Sequence, residues 1–168
     1  AVNSSGTGTL SSVASAILAS NIQASETFNG HTYALTSAAM TWAQAKTTAT
    51  ALGGYLTTIN TKAENTFLTD EFWTSIVGLW HGANDIVTNN TWVWDNGTTS
   101  GDNGLTDNLC GTNDCPGSNA AWADNITSKW NSGEPKGSGN CGYIWKDTGH
   151  WDDVACSNNK CAIIEFDL

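Results

Sequence analysis

Residues 98–128 constrain this chain more than any other feature. Gly, Asn, Asp and Ser dominate these 31 positions, which also contain Cys110 and Cys115. A loop this long inside a compact domain is uncommon, and is generally either functional or disordered. The flanking sequence is patterned. On the N-terminal side, the turn signal Asn29-Gly30 precedes Tyr33-Ala34-Leu35, which reads as a strand. Thr41 is placed to cap a helix over 42–52, which Gly53-Gly54 stops. Residues 55–59 are extended. A second helix follows over 60–73, with Ala63, Phe67, Leu68 and Phe72 on one face. Short strands are predicted at 76–79 and 91–94, the latter ended by Asp95-Asn96-Gly97. Beyond the loop come strands at 141–145, 151–156 and 162–166. Two helices, a long loop and strands at both ends of one domain predict an α+β fold. Residues 1–27 read as a linker-like arm, with Leu10, Val13, Ile17 and Leu18 at near-helical spacing, and 28–168 as the domain.

Charge narrows the function. The chain has 6 Lys, no Arg and 16 acidic residues, a net charge of −10. Nucleic-acid binding requires basic stripes that release counterions from phosphate, and there are none. An anionic membrane surface would repel the chain, and no stretch approaches the roughly 18 apolar residues that span a bilayer. No signal-peptide pattern is present, so the chain reads as a mature product or an excised domain. Nine Trp supply a core and exclude disorder. Five Cys in an acidic, Asn/Thr-rich chain suggest export and disulfides, with one thiol left over. Carboxylates without compensating cations also suit a hard cation such as calcium, although solubility alone accounts for a net negative charge.

The order of motifs resembles the C-type lectin-like domain from about Gly30 to Phe166. Trp42-Ala43-Gln44-Ala45, Leu52-Gly53-Gly54-Tyr55-Leu56 and Glu64-Asn65 are similar to its two-helix signature. Val77-Gly78-Leu79 stands for its Trp-Ile-Gly-Leu strand, and Trp92-Val93-Trp94-Asp95-Asn96-Gly97 for the next strand and turn. Trp130-Asn131-Ser132-Gly133-Glu134-Pro135 resembles the run into a sugar-binding Glu-Pro-Asn. Trp151-Asp152-Asp153 resembles Trp-Asn-Asp, and Ile164-Glu165 the closing Cys-Glu. The resemblance implies two helices, small antiparallel sheets and the long irregular loop. It suggests a secreted or adhesin-borne domain of bacterial type, outside the cell or on its surface, either a secreted monomer or part of a larger surface protein.

By the same resemblance, the family's outer disulfide is absent, because its positions are Ala49 and Ile164, and its inner one maps to Cys141 and Cys156. Cys110 and Cys115 are expected to close a small loop, leaving Cys161 odd. The rival pairing joins Cys161 to a loop cysteine, which sequence leaves open. A zinc knot built on the two Cys-x4-Cys spacings is disfavoured, since zinc sites prefer shorter spacers with supporting His.

In sugar-binding members, the matched residues form a calcium cage completed by two sugar hydroxyls. Here Glu134 and Asp153 match directly, Asp152 replaces an Asn, and Pro135 is the prospective cis-proline. Asn140 is the only nearby oxygen side chain that could replace the missing ligand, because Lys136 occupies its place. Two outcomes are open. Lys136 points to solvent while calcium is held, which is the favoured expectation, or it sits among the carboxylates and neutralises them. Asp85 and Asn89 stand where an auxiliary calcium site occurs in some members. Trp42, Trp92, Trp94, Trp130 and Trp151 are expected in the core. Of Trp80, Trp122 and Trp145, Trp122 is the one expected to be exposed for sugar stacking.

Catalysis reads poorly. Glu134 with Asp152 as a glycosidase pair would need a raised pKa from burial, whereas the crowd of further oxygens suggests a cation site. Cys141 of a Cys141/His150/Asp152 triad is committed by the resemblance to a disulfide. The resemblance therefore implies a non-enzymatic, calcium-dependent lectin or adhesin module for glycans, slightly favouring mannose-like sugars. Its alternative is a calcium-independent protein-binding domain that uses residues 98–128.

Overall fold

The first hairpin closes at Asn29-Gly30, where both residues have positive φ, 48° and 90°. That is the backbone a two-residue hairpin turn requires, and it explains the Asn-Gly pair. The turn joins β1 (Ile22–Phe28) to β2 (His31–Thr36), with Phe28 opposite His31. All of β1 but Phe28 lies inside the 1–27 stretch read as an arm, so the sheet starts earlier than expected. Its inward side chains, Ile22, Ala24 and Phe28, are only half-buried, and such a weak alternation is hard to see in sequence. Phe28 nevertheless stacks on Phe67, with ring centroids 4.7 Å apart. The computed structural model describes residues 20–72, 78–95, 130–137, 139–145 and 148–167.

Helix α1 (Trp42–Ala51) begins at a capping box. Thr41 Oγ1 accepts from the Gln44 N–H, and the Gln44 side chain accepts from the Thr41 N–H. Trp42, Ala45 and Ala49 form its buried stripe. The helix stops through Gly53, at φ 86°, and a side chain at Gly54 would run into the Glu165 carbonyl. Helix α2 (Lys62–Phe72) buries Glu64, Leu68 and Phe72. Ala63, expected on the buried face, is exposed, because Glu64 turns inward to accept from the Tyr33 hydroxyl at 2.8 Å.

The remaining strands are β3 (Tyr55–Leu56), β4 (Leu79–Asn84), β5 (Cys141–Ile144), β6 (Trp151–Val154) and β7 (Cys161–Asp167). They form one sheet in the order β1-β2-β7-β4-β5-β6, with β3 also paired to β7. The pairings are antiparallel except β4 with β7, which is parallel and joins the two expected antiparallel parts. Two helices on a mixed sheet are the expected α+β class.

The core is built on indoles. Trp92, Trp94, Trp130 and Trp151 are at most 4% exposed, and Trp42 joins Trp80, Leu56 and Tyr143 in a neighbouring cluster. Trp130 packs edge-on against Trp92 and Trp151, at 4.8 Å and 5.8 Å. Trp80 is wholly buried and Trp145 half-buried, so neither is an open stacking platform. Trp122 lies outside the described residues. Ala49 and Ile164, where a disulfide is missing, are both buried apolar positions. Cys141 and Cys156 are bonded, with Cα atoms 5.2 Å apart, and Cys161 is a free buried thiol. That removes the pairing of Cys161 with a loop cysteine. Cys110 and Cys115 lie outside the described residues, as do 1–19 of the arm.

Candidate functional site

The site forms where the chain leaves Trp130, which bridges to Trp151. The Asn131 N–H donates to the Trp151 carbonyl, and the Glu134 N–H returns to the Asn131 carbonyl. Gly133, at φ 84°, allows that tight return. The Glu134–Pro135 bond is cis, as expected for Pro135. The turn delivers the Glu134 carboxylate beside Asp152 and Asp153 on β6. One oxygen from each of the three lies within 4.8 Å of the others.

The backbone of the turn wraps Asp153. Lys136 N–H donates to Asp153 Oδ1 at 2.7 Å and to Glu134 Oε2 at 3.0 Å. Gly139 N–H donates to Asp153 Oδ2 at 2.7 Å. A side chain at Gly139 would overlap the Val154 backbone, so only glycine passes this point. Asp153 therefore organises the loop as well as contributing charge. Asp152 Oδ1 accepts from the Asp153 N–H at 2.8 Å, and Asp152 Oδ2 faces the Tyr143 hydroxyl at 3.3 Å.

Lys136 does not point away. Its ammonium is 2.6 Å from Glu134 Oε1, while the lysine side chain stays 60% exposed and that of Glu134 is 8% exposed. This is the less favoured of the two sequence expectations. The physical reason is local: Glu134 is nearly buried, and a carboxylate being desolvated draws the nearest cation. Burial pushes the Glu134 carboxyl above its usual range, against the bond to Lys136, which lowers it. Burial also raises Asp152, and the Glu134 contact raises Lys136.

Asn140, expected as a calcium ligand, is turned elsewhere. Its Nδ2 donates to Asp85 Oδ1 at 2.8 Å, and its backbone carbonyl accepts from the Asp85 N–H. Asp85 Oδ2 accepts from the Asn90 N–H at 2.8 Å. The Asp85 carboxylate, 1% exposed, thus fastens two loops together. Asn89, expected beside it as an auxiliary calcium ligand, is exposed.

Two residues of the site were not anticipated. Tyr143 is the register partner of Asp152 across β5 and β6, so correct strand pairing was the signal that would have found it. Lys160 is 7% exposed, with its Nζ 3.8 Å from the centre of the Tyr143 ring. Burial lowers the Lys160 pKa, with Asp152 opposing that shift. Nothing in the local sequence of Lys160 announces this contact.

The donor set fits a hard divalent cation. Three carboxylates converge, and an oxygen that accepts one hydrogen bond keeps a lone pair for a metal. Lys136 is the one described cation on Glu134, and its long exposed stem can leave without unpacking a core.

Both the sequence and the fold have known relatives. The lectin C-type domain family model matches residues 38–165. The chain is 28% identical over 137 residues to "Lectin BRA-3" of Megabalanus rosa, covering 79% of this chain and 69% of that protein. It resembles the C-type lectin domain of murine dendritic cell inhibitory receptor 2 solved with N-glycan, at TM-score 0.64 and 20% identity, covering 86% of this chain and 96% of the other. A calcium-independent type II antifreeze protein matches at TM-score 0.62 and 18% identity, covering 85% and 91%. At such identities the solved structures speak for the fold alone. BRA-3 and the murine receptor are animal proteins, so the bacterial-type assignment is not supported. A match to a lectin domain family agrees with the non-enzymatic reading.

Proposed function

The chain belongs to the C-type lectin domain family, and on that premise we propose that it binds carbohydrate at the Glu134–Asp152–Asp153 cluster with calcium as the bridging ion. The observation that carries this reading is the convergence of the Glu134, Asp152 and Asp153 carboxylates. When bound, calcium supplies positions that vicinal sugar hydroxyls can fill. Glu134 and Asp152 then accept hydrogen bonds from those hydroxyls. Asp153 holds the loop in register through Lys136 and Gly139 N–H. Lys136 is the resident counterion of Glu134 that a bound calcium would have to displace, and its ammonium would then be free to donate to a sugar oxygen. Asn140 serves this site as a loop clamp. Trp122 and the rest of 98–128 are proposed to flank the sugar.

The Glu134 match favours mannose-like sugars. The setting proposed is extracellular, as a secreted monomer or part of a surface protein. Among the described residues no helix is long and apolar enough to cross a membrane.

A second reading rests on the Lys136–Glu134 pair itself. If that pair persists, the domain is calcium-independent and binds protein through residues 98–128, on a fold that a calcium-independent antifreeze protein also uses. Glycan-array binding with and without EDTA separates the two. Binding lost in EDTA supports the calcium reading, whereas glycan binding that is absent or indifferent to EDTA overturns it.

A further inference from the structure

The β2–β7 pair of the same sheet carries a second convergence of ligand atoms, and it differs in kind from the all-oxygen cluster above. His31 on β2 stands opposite Asp167 on β7, and Glu165 lies two residues back on the same face. His31 Nδ1 is 3.1 Å from Glu165 Oε1 and 3.2 Å from Asp167 Oδ1, and one ligand atom from each residue lies within 4.8 Å of the others. We propose that His31, Glu165 and Asp167 form a binding site for zinc, with solvent or an external ligand on the fourth position.

Three observations support this. The first is spacing. Bonds of about 2.0–2.1 Å at the tetrahedral angle place two ligand atoms roughly 3.3 Å apart, which both His31 contacts approach. A ring N–H has one proton to share between two carboxylates, whereas a divalent ion satisfies all three groups together.

The second is preorganisation. Glu165 Oε2 accepts from Thr57 Oγ1 at 3.1 Å, Thr58 N–H at 2.9 Å and Thr58 Oγ1 at 3.2 Å, which holds Oε1 toward His31. The Tyr55 hydroxyl donates to Asp167 Oδ1 at 2.8 Å. Partners of this sort orient the ligands of metal sites. The third is access. Glu165 is fully buried, but the side chains of His31 and Asp167 are 28% and 68% exposed. A cavity of about 210 Å³ reaches His31, lined by it with Tyr33, Asn60 and Glu64 among others.

The imidazole selects the ion. Calcium takes six to eight oxygen ligands, while imidazole with carboxylates suits zinc and its neighbours. Metal at this point would replace the proton on Nδ1 and fasten the end of β7 to β2.

The test is calorimetric titration of the EDTA-stripped chain with zinc chloride, cobalt(II) chloride and calcium chloride, repeated on His31→Gln, Asp167→Asn and Asp152→Asn. The expected result is one zinc per chain with affinity weakened roughly tenfold or more in His31→Gln and Asp167→Asn. Asp152→Asn, which alters only the other cluster, should retain zinc binding. Asp167 is exposed, so its variant reads the site even if His31→Gln folds poorly. Zinc binding that is absent, unchanged in Asp167→Asn, or lost only in Asp152→Asn overturns the proposal.

Discussion

The Lys136 ammonium lies 2.6 Å from Glu134 Oε1, inside the carboxylate group whose calcium it would oppose. A cation at the place of a ligand lowers metal affinity both by repulsion and by occupying an oxygen. Lys136→Asn removes both effects and adds an oxygen donor. Calcium affinity measured by titration calorimetry is expected to rise roughly threefold to tenfold. Tm without calcium should fall somewhat, since the nearly buried Glu134 loses its counterion, and calcium should restore it. No change in affinity would mean that Lys136 does not compete for the ion.

The same carboxylates set a pH dependence. Burial raises Glu134 and Asp152 above their usual ranges, so both take up protons at a higher pH than ordinary carboxylates do. Calcium needs them ionised. Calcium and glycan binding should therefore fail on acidification above the pH at which an exposed carboxylate titrates. For folding the sign is opposite, because groups with raised pKa favour the native state at low pH and lose that contribution as pH rises through their folded values. Calcium affinity followed by calorimetry from pH 7 to pH 4 checks the first effect, and a flat profile would contradict it.

His81 works against that acid advantage. It is wholly buried between Trp94 and Trp151, at centroid distances of 5.9 Å and 4.7 Å. Its Nδ1 accepts from the Ala83 N–H at 3.1 Å, and burial pushes its pKa down to about 3. The unfolded chain binds a proton near pH 6.5 while the native chain does not. Stability is therefore complete above that value and is lost as pH falls from there toward 3, by a few kcal/mol in order of magnitude. His81→Gln should flatten the dependence of Tm on pH across this window, whatever it does to Tm at pH 7. An unaltered slope would assign acid sensitivity to other groups.

How much of this was legible depended on the range of the interaction. The Thr41–Gln44 capping box and the Asn29-Gly30 turn are local chemistry, readable within four residues. Glu134, Asp152 and Asp153 were found by resemblance, and their separate segments meet because Trp130 bridges to Trp151. Side-chain direction was not legible. Nothing within 134–140 says that Lys136 bends back to Glu134, or that Asn140 turns toward Asp85, 55 residues away in sequence. Tyr143 required the β5–β6 register. β1 was missed because Ala24 contributes too little apolar surface to show an alternation.

Asn140 gives the sharpest test of clamp against ligand. Its amide donates to Asp85, whose other oxygen is taken by the Asn90 N–H. Asn140→Asp keeps the shape and removes the donor. The new carboxylate would face a buried one across a hydrogen-bond distance, and leaving a buried acceptor unmatched costs about 1–3 kcal/mol even without the added repulsion. The loop carrying Lys136 and Gly139 N–H should loosen, and with it the hold on Asp153. Tm should fall and calcium affinity should fall with it. Were Asn140 a direct ligand, the added charge would strengthen calcium binding instead, so calorimetry on this one variant separates the two roles by the sign of its effect.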